Sequence, residues 1–388
     1  MSEIPGKAAV KAAGVDDPHR VMVVDDSAVI RGLLSRALEG DPELRVVASV
    51  GDGQMALNAL SRQGIDVIVL DIEMPVMDGL TAIPKLIAID PAVKIIMAST
   101  LTLRGAEVSM KALQSGAADY VTKPSSTREL GAADSFKREL VSKVKALAIS
   151  ARRAGSRNRP GLRNERLPTP LTSFPRPRSM DPAAVVLRQM PAVPPSPDII
   201  AIGSSTGGPQ ALFEVLSHLK GGVRQPILIT QHMPATFTTI LAEHITRQCG
   251  IPCAEAKDGE PLVGGRIYLA PGDFHMILAT RGTSTVLSVN KDPPENFCRP
   301  AVDPMMRSIA KIYGKRALAI ILTGMGQDGM RGCTELVAAG GLTIAQDETS
   351  SVVWGMPGAV ATAGLCSAVM PLREIGPFIR KIASRTAA

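Results

Sequence analysis

From residue 20 to 148, short β-branched runs alternate with amphipathic stretches. RVMVV (20–24), RVVASV (45–50), DVIVL (66–70), KIIMAS (94–99) and ADYVT (118–122) are apolar enough to be buried on both faces. Between them, helical spacing of apolar residues covers 27–39, 53–63, 79–90 and 105–115, with a last helix over about 128–148. Strands without alternation, separated by helices, predict an α/β fold: a (βα)5 flavodoxin-like unit whose parallel sheet is covered on both faces.

The pattern stops at 149 and returns at 198. DIIAIG (198–203), PILITQ (226–231), RIYLAP (266–271), ALAIILTG (317–324) and LTIAQD (342–347) read as buried strands. Helical stretches near 208–219, 235–248, 303–313 and 328–339 alternate with most of them. This predicts a second, doubly wound α/β domain with a mostly parallel sheet. The expected division is a disordered tail (1–19), a first domain (20–148), a linker (149–197) and a second domain (198–388). No internal repeat relates the halves.

Charge sharpens that division. The chain has 388 residues and a net charge of +7, which alone suggests a nucleic-acid or membrane-surface binder. Residues 151–190 carry nine arginines against Glu165 and Asp181, so that segment holds the whole excess. From 151 to 197 there are also ten prolines, which block helix interiors and sheet ladders. A solvated, flexible tether is the expectation, with steering towards acidic partners or anionic lipid as the alternative. Aromatics make only 3% of the chain, which disfavours a single-strand nucleic-acid platform. Five cysteines, with no Cys-x-x-Cys pair, fit a reduced cytoplasmic protein with no metal cluster built on thiols. Neither a membrane-spanning run nor a signal-peptide core is present in the sequence.

Sites in parallel α/β sheets form at the carboxyl ends of strands. In the first domain those ends carry Asp25-Asp26, Asp71, Ser99-Thr100 and Lys123-Pro124. Acids do collect at strand ends without a function, but five suitably typed groups on one sheet edge form a chemical set. Three crowded carboxylates suit a hard cation such as Mg²⁺, which would let Asp71 attack phosphorus. VVDDS (23–27), VLDIEMPVMDG (69–79), MAST (97–100) and VTKP (121–124) resemble a response-regulator receiver domain. The resemblance implies that Asp71 accepts phosphate from a histidine kinase and that Asp25 and Asp26 help bind Mg²⁺. It also implies that Ser99 and Lys123 sense the phosphoryl group. Lys123–Pro124 is a candidate cis bond.

In the second domain the first strand runs into Gly203-Ser204-Ser205-Thr206-Gly207-Gly208. Gly-x-Ser-x-Gly before a helix fits either a nucleophile turn or a phosphate-binding turn. His232, in ITQHMP, and Asp328, in LTGMGQDG, follow later strands and favour the first reading: nucleophile, base and orienting acid. The order Ser…His…Asp differs from that of α/β-hydrolases. Ser204 and Thr206 could position an oxyanion or cap the helix. His275 could line the cleft or be structural. His218 and His244 read as surface or packing residues.

AIGSSTGGP, LITQHMP, LAPGDFHM, VDPMM, ILTGMGQDGM and WGMPGAV together resemble the catalytic domain of the chemotaxis protein-glutamate methylesterases. That family joins a receiver, a linker and an esterase. The resemblance implies Ser205 as nucleophile, His232 as base, Asp328 as orienting acid, and Met325 near the oxyanion. It implies hydrolysis of glutamate methyl esters, and deamidation of glutamines, on methyl-accepting chemotaxis receptors. It also implies occlusion of the cleft by the unphosphorylated receiver, and no cofactor for the esterase step. No nucleic acid and no membrane insertion are expected, though association through receptors would place the enzyme at the membrane. Two rivals are a transcriptional regulator with a basic linker and a non-catalytic adaptor on the same fold. A compact helix-turn-helix output is missing for the first, and the complete serine, histidine and aspartate set argues against the second.

Overall fold

Buried apolar runs become parallel strands on both sides of the arginine-rich segment. The computed structural model describes residues 17–99, 102–123, 130–157, 185–191 and 194–384. Residues 1–16 of the expected tail, most of the linker and the Lys123–Pro124 bond lie outside the described residues. Asp17 and Pro18 accept from Arg152, and His19 already belongs to a strand, so order begins before residue 20.

The first unit contains β1 (His19–Val24), α1 (Ala28–Glu39), β2 (Leu44–Val50), α2 (Gly53–Leu60) and β3 (Val67–Asp71). It continues with α3 (Gly79–Ile89), β4 (Lys94–Ser99), α4 (Leu103–Gln114), β5 (Asp119–Thr122) and α5 (Leu130–Arg157). Its five strands are all parallel, in the order β2-β1-β3-β4-β5. Ser27, Asp52, Asp78 and Thr102 start α1 to α4 by accepting a backbone N–H with the side chain. Each such cap contributes about 1 kcal/mol.

One expectation needs correction here. Helix α5 does not end at 148 but continues to Arg157. KALAISARRAG is rich in helix formers, and the first proline comes only at 160. Two of the supposed tether arginines are therefore structural. Arg152 pairs with Asp66 at 3.0 Å, and Arg153 pairs with Glu348 of the second domain.

The second unit contains β6 (Ile199–Ser204), α6 (Gly208–Ser217), β7 (Ile227–Gln231), α7 (Ala235–Cys249), β8 (Cys253–Glu255) and β9 (Ile267–Leu269). The hairpin β10 (His275–Arg281) and β11 (Ser284–Asn290) follows, then α8 (Val302–Tyr313), β12 (Ala317–Ile321), α9 (Met330–Ala338) and β13 (Leu342–Gln346). It closes with α10 (Met356–Thr362), β14 (Ala368–Met370) and α11 (Leu372–Ala383). The seven-stranded sheet has the order β14-β13-β12-β6-β7-β9-β8 and is parallel throughout. The antiparallel hairpin stands apart from it. β6 is flanked by β12 and β7, so the loops after these three strands open on one edge. No described helix is long and apolar enough to cross a membrane.

The two units touch. Tyr120 of β5 stacks on Phe237 of α7, with ring centroids 4.2 Å apart and planes 8° from parallel. Gln114 Nε2 donates to His244 Nδ1 at 2.9 Å, and Gln210 donates to the backbone of Leu113 and Ala117. Val352 and Val353 pack against the receiver core. His244 is thus a packing residue between the units.

Candidate active site

Asp328 is the best-held group in the second domain. Its carboxylate accepts backbone N–H bonds from Val302 at 2.6 Å, Asp303 at 3.0 Å and Gly329 at 2.9 Å. It also accepts from Asn296 Nδ2 at 2.9 Å. Helix α8 starts without a side-chain cap, so its first amides are open to another acceptor. Asp328 uses those of α8, and its charge is favoured by that helix's positive end. Asp303 is buried beside it and accepts from Gly332 N at 2.7 Å. Burial works to raise the pKa of Asp328, but His232 and the α8 amides outweigh it and hold the pKa below the usual value. For Asp303, burial together with the neighbouring Asp328 charge raises the pKa.

His232 Nε2 lies 2.7 Å from Asp328 Oδ2. Its other ring nitrogen, Nδ1, faces Cys298 Sγ at 3.4 Å. Burial disfavours the imidazolium, but Cys298 and the Asp328 carboxylate more than compensate, raising the pKa to about 10.

Ser205 follows β6 at the same edge. Its N–H donates to Thr323 O at 3.0 Å, and its C=O accepts from Gln231 Nε2 at 2.9 Å. His232 N donates to Ser204 O at 3.1 Å, which ties the serine turn to the histidine loop. Ser205 Oγ has no hydrogen-bond partner among the described residues, so the structure brings serine and histidine to one edge without bonding them. Gly324 packs against this turn. A Cβ placed there would stand 2.9 Å from Ser205 Cβ and 2.4 Å from Met356 Sδ, so only glycine fits. Met325 follows directly and is half-buried.

The neighbouring serines differ in burial. Ser204 is fully buried, and its hydroxyl donates to Gln231 Oε1 at 2.7 Å. The Ser204 hydroxyl is thus engaged in the interior, whereas Ser205 is only half-buried. Thr206 is buried too, and it does not cap α6. Its hydroxyl donates to Asp119 Oδ2 of the receiver at 2.6 Å. His275 is not brought to the other three. It accepts from Ala301 N at 3.2 Å and contacts Pro293 O at 3.2 Å, so it braces the loop between them.

Asn296 and Cys298, which touch Asp328 and His232, were not expected from the sequence. The PPENFC stretch has no hydrophobic period, and neither residue type marks a site unless the fold brings it to one.

In the first domain Asp25, Asp26 and Asp71 each offer a carboxylate oxygen within 4.8 Å of the others. Lys123 Nζ bonds Asp25 at 2.7 Å and Asp71 at 2.8 Å. Burial raises the pKa of Asp71 although Lys123 opposes it. Burial would lower that of Lys123, but the two carboxylates raise it. Ser99 Oγ donates to Gly105 O at 3.2 Å from the neighbouring strand end. Three hard oxygen donors with one balancing ammonium fit a divalent cation such as Mg²⁺.

Fold and sites together define a receiver-like parallel α/β unit with an acidic pocket, joined to an α/β domain with serine, histidine and aspartate after adjacent strands. A family model described as "CheB methylesterase" matches residues 200–379, and one described as "Response regulator receiver domain" matches residues 21–133. The chain is 72% identical to an Azospirillum brasilense protein named "Protein-glutamate methylesterase/protein-glutamine glutaminase", over 97% of this chain and 95% of that one. It is 64% identical to a similarly named group 2 operon protein of Rhodospirillum centenum, over 100% of both chains. The Thermotoga maritima CheB methylesterase catalytic domain shares 38% identity, covering 48% of this chain and 99% of that chain at a TM-score of 0.47. The chain belongs to the protein-glutamate methylesterase/protein-glutamine glutaminase family, and so is a hydrolase with a response-regulator receiver.

Proposed function

We propose that this protein removes methyl groups from glutamate side chains of methyl-accepting chemotaxis receptors, releasing methanol, and deamidates selected receptor glutamines. Ser205 attacks the ester or amide carbonyl. His232 takes its proton and returns it to the leaving methanol or ammonia, and Asp328 orients and steadies the imidazolium. The acyl-enzyme is then cleaved by water. Met325, in the loop after β12, would lie near the oxyanion. The observation that carries this reading is the short His232–Asp328 contact on the α8 amides, tied by backbone to the Ser205 turn.

The charge state bears on turnover. A base raised to about 10 is protonated at neutral pH, so its neutral fraction grows as pH rises. Turnover of a small soluble ester is therefore expected to climb about tenfold per pH unit from neutrality until the His232 pKa is reached. Cys298→Ala removes one of the groups that hold the proton on His232. The acid limb of the pH–rate profile moves to lower pH in that variant. An unchanged limb would show that Cys298 does not control the base.

Regulation follows from the interdomain contacts. Asp119 holds Thr206, the residue next to the nucleophile, while Lys143 neutralises Asp119 from behind at 3.3 Å. Tyr120 stacks on Phe237 from the adjacent position of the same strand. A chemotaxis histidine kinase phosphorylates Asp71; Asp25, Asp26 and Asp71 would hold a Mg²⁺ ion, whose charge would offset that of the phosphoryl group. Ser99 and Lys123 sense that group, and the β5 contacts are released, because a switch needs different contacts in its two states. Segments 20–148, 149–197 and 198–388 act as receiver, linker and esterase, with the first turns beyond 148 being helix. The protein works in the cytoplasm, against receptor helices. Methanol release from methylated receptor membranes tests this. A small-molecule phosphodonor is expected to raise the rate at least about tenfold in the wild type and not in Asp71→Ala. Equal stimulation of both would overturn the assignment of Asp71.

A further inference from the structure

The loop between β11 and α8 carries an aromatic side chain that folding does not explain. Glu295 and Cys298 exchange two backbone bonds, Glu295 N to Cys298 O at 3.1 Å and Cys298 N to Glu295 O at 2.8 Å. The two residues inside this hairpin turn, Asn296 and Phe297, have φ of 51° and 63°. Successive left-handed residues make a type I′ turn, whose second place favours glycine. A phenylalanine there is strained, because its Cβ crowds the backbone.

Every other residue of the turn is tied down. Glu295 pairs with Arg307 at 2.9 Å. Asn296 bonds Asp303 at 3.0 Å and Asp328 at 2.9 Å. Cys298 faces His232 at 3.4 Å. Only Phe297 has nothing to hold, and its relative exposure is 101%. The most exposed large apolar side chain among the described residues thus stands between two residues that touch His232 and Asp328. The receiver, which covers Thr206, leaves it uncovered.

We infer that Phe297 is a specificity residue that grips the substrate polypeptide, seating on apolar side chains one turn from the esterified glutamate on the same receptor helix. The inference rests on the methylesterase reading of the neighbouring site. Side chains three or four positions apart on a helix lie about 5–6 Å from each other, so an ester at Ser205 places such a neighbour beside the cleft wall. An aromatic on a rigid turn loses little freedom on binding, and such residues dominate interface energetics. Bolting the turn to the histidine and aspartate also fixes where the ester sits relative to the grip.

The test compares full-length wild type, Phe297→Ala and Phe297→Tyr on methylated receptor membranes and on a small soluble glutamyl methyl ester. Phe297→Ala is expected to raise KM for receptors about tenfold, so that the ratio of receptor to small-ester kcat/KM falls by a similar factor. Phe297→Tyr is expected to restore most of it. Phe297→Gly, which relieves the backbone strain, is expected to raise Tm while losing the grip, a combination that a structural role would not produce. An unchanged ratio in Phe297→Ala would overturn the inference. So would a mass that depends on concentration in the wild type and not in Phe297→Ala, since the ring would then serve self-association. Ser205→Ala is run alongside. Full receptor turnover there would overturn the esterase reading itself, whatever Phe297 does.

Discussion

Ser205→Ala lowers methanol release from methylated receptor membranes by about a million-fold, to the level that binding and oxyanion contacts alone sustain. The size of the effect follows from the division of labour at the strand ends. His232 and Asp328 act only by taking a proton from a hydroxyl, and Ser205 is the hydroxyl that the backbone presents. Ser204 cannot take over, since it is buried and donates to Gln231 at 2.7 Å. Thr206 cannot either while its hydroxyl is bonded to Asp119. The one rival nucleophile is the thiol of Cys298, 3.4 Å from His232 Nδ1. A small loss in Ser205→Ala would transfer the chemistry to that sulfur.

Asp328→Asn has the second largest expected effect, a fall in kcat of about 10⁴ with little change in KM. The carboxylate does two things at once. It accepts a hydrogen bond from His232 Nε2 at 2.7 Å, and it accepts two backbone N–H bonds from the start of α8 and one from Gly329 just before α9. An amide has only one acceptor oxygen, so it cannot satisfy all of these donors. The imidazolium loses its counter-charge, and the tautomer that keeps the proton on Nε2 is no longer enforced. A pH profile separates the two contributions. Without the Asp328 charge, one of the influences raising the His232 pKa disappears, so the acid limb shifts to lower pH while the maximum stays low. Retention of most of kcat would mean that Asp328 is only a cap for α8.

Much of this was legible in the residues, and what was not has physical reasons. The buried strands showed because residues such as Val67–Leu70 and Ile199–Ile202 are apolar on both faces, a signal that needs no tertiary context. The contact of His232 with Asp328 could be anticipated because both follow such strands on one sheet edge. β8, β9 and β14 have only three residues each, which limits what a periodic pattern can show: β9 is expected at 266–271 but β8 and β14 are not, and the longer β10–β11 hairpin is not expected either. The end of α5 was misplaced because the arginine excess at 152 and 153 reads as a solvated tether until Asp66 and Glu348 are seen opposite. Cys298 and Asn296 belong to the site only through a turn that brings a distant loop to Asp328. Spacing along the chain carries no trace of that contact. The same holds for Asp119, whose bond to Thr206 spans the two domains.

The account's central claim is that Ser205 Oγ forms the covalent bond to the substrate. Peptide mass spectrometry after reaction with a serine-directed phosphonate ester measures this directly, on wild type and Ser205→Ala with the phosphodonor present. The account predicts one adduct, on the peptide holding Ser205, formed at the rate at which methanol release is lost and absent from Ser205→Ala. An adduct on the Cys298 peptide that tracks the loss of activity, or loss of activity with Ser205 unlabelled, would contradict it.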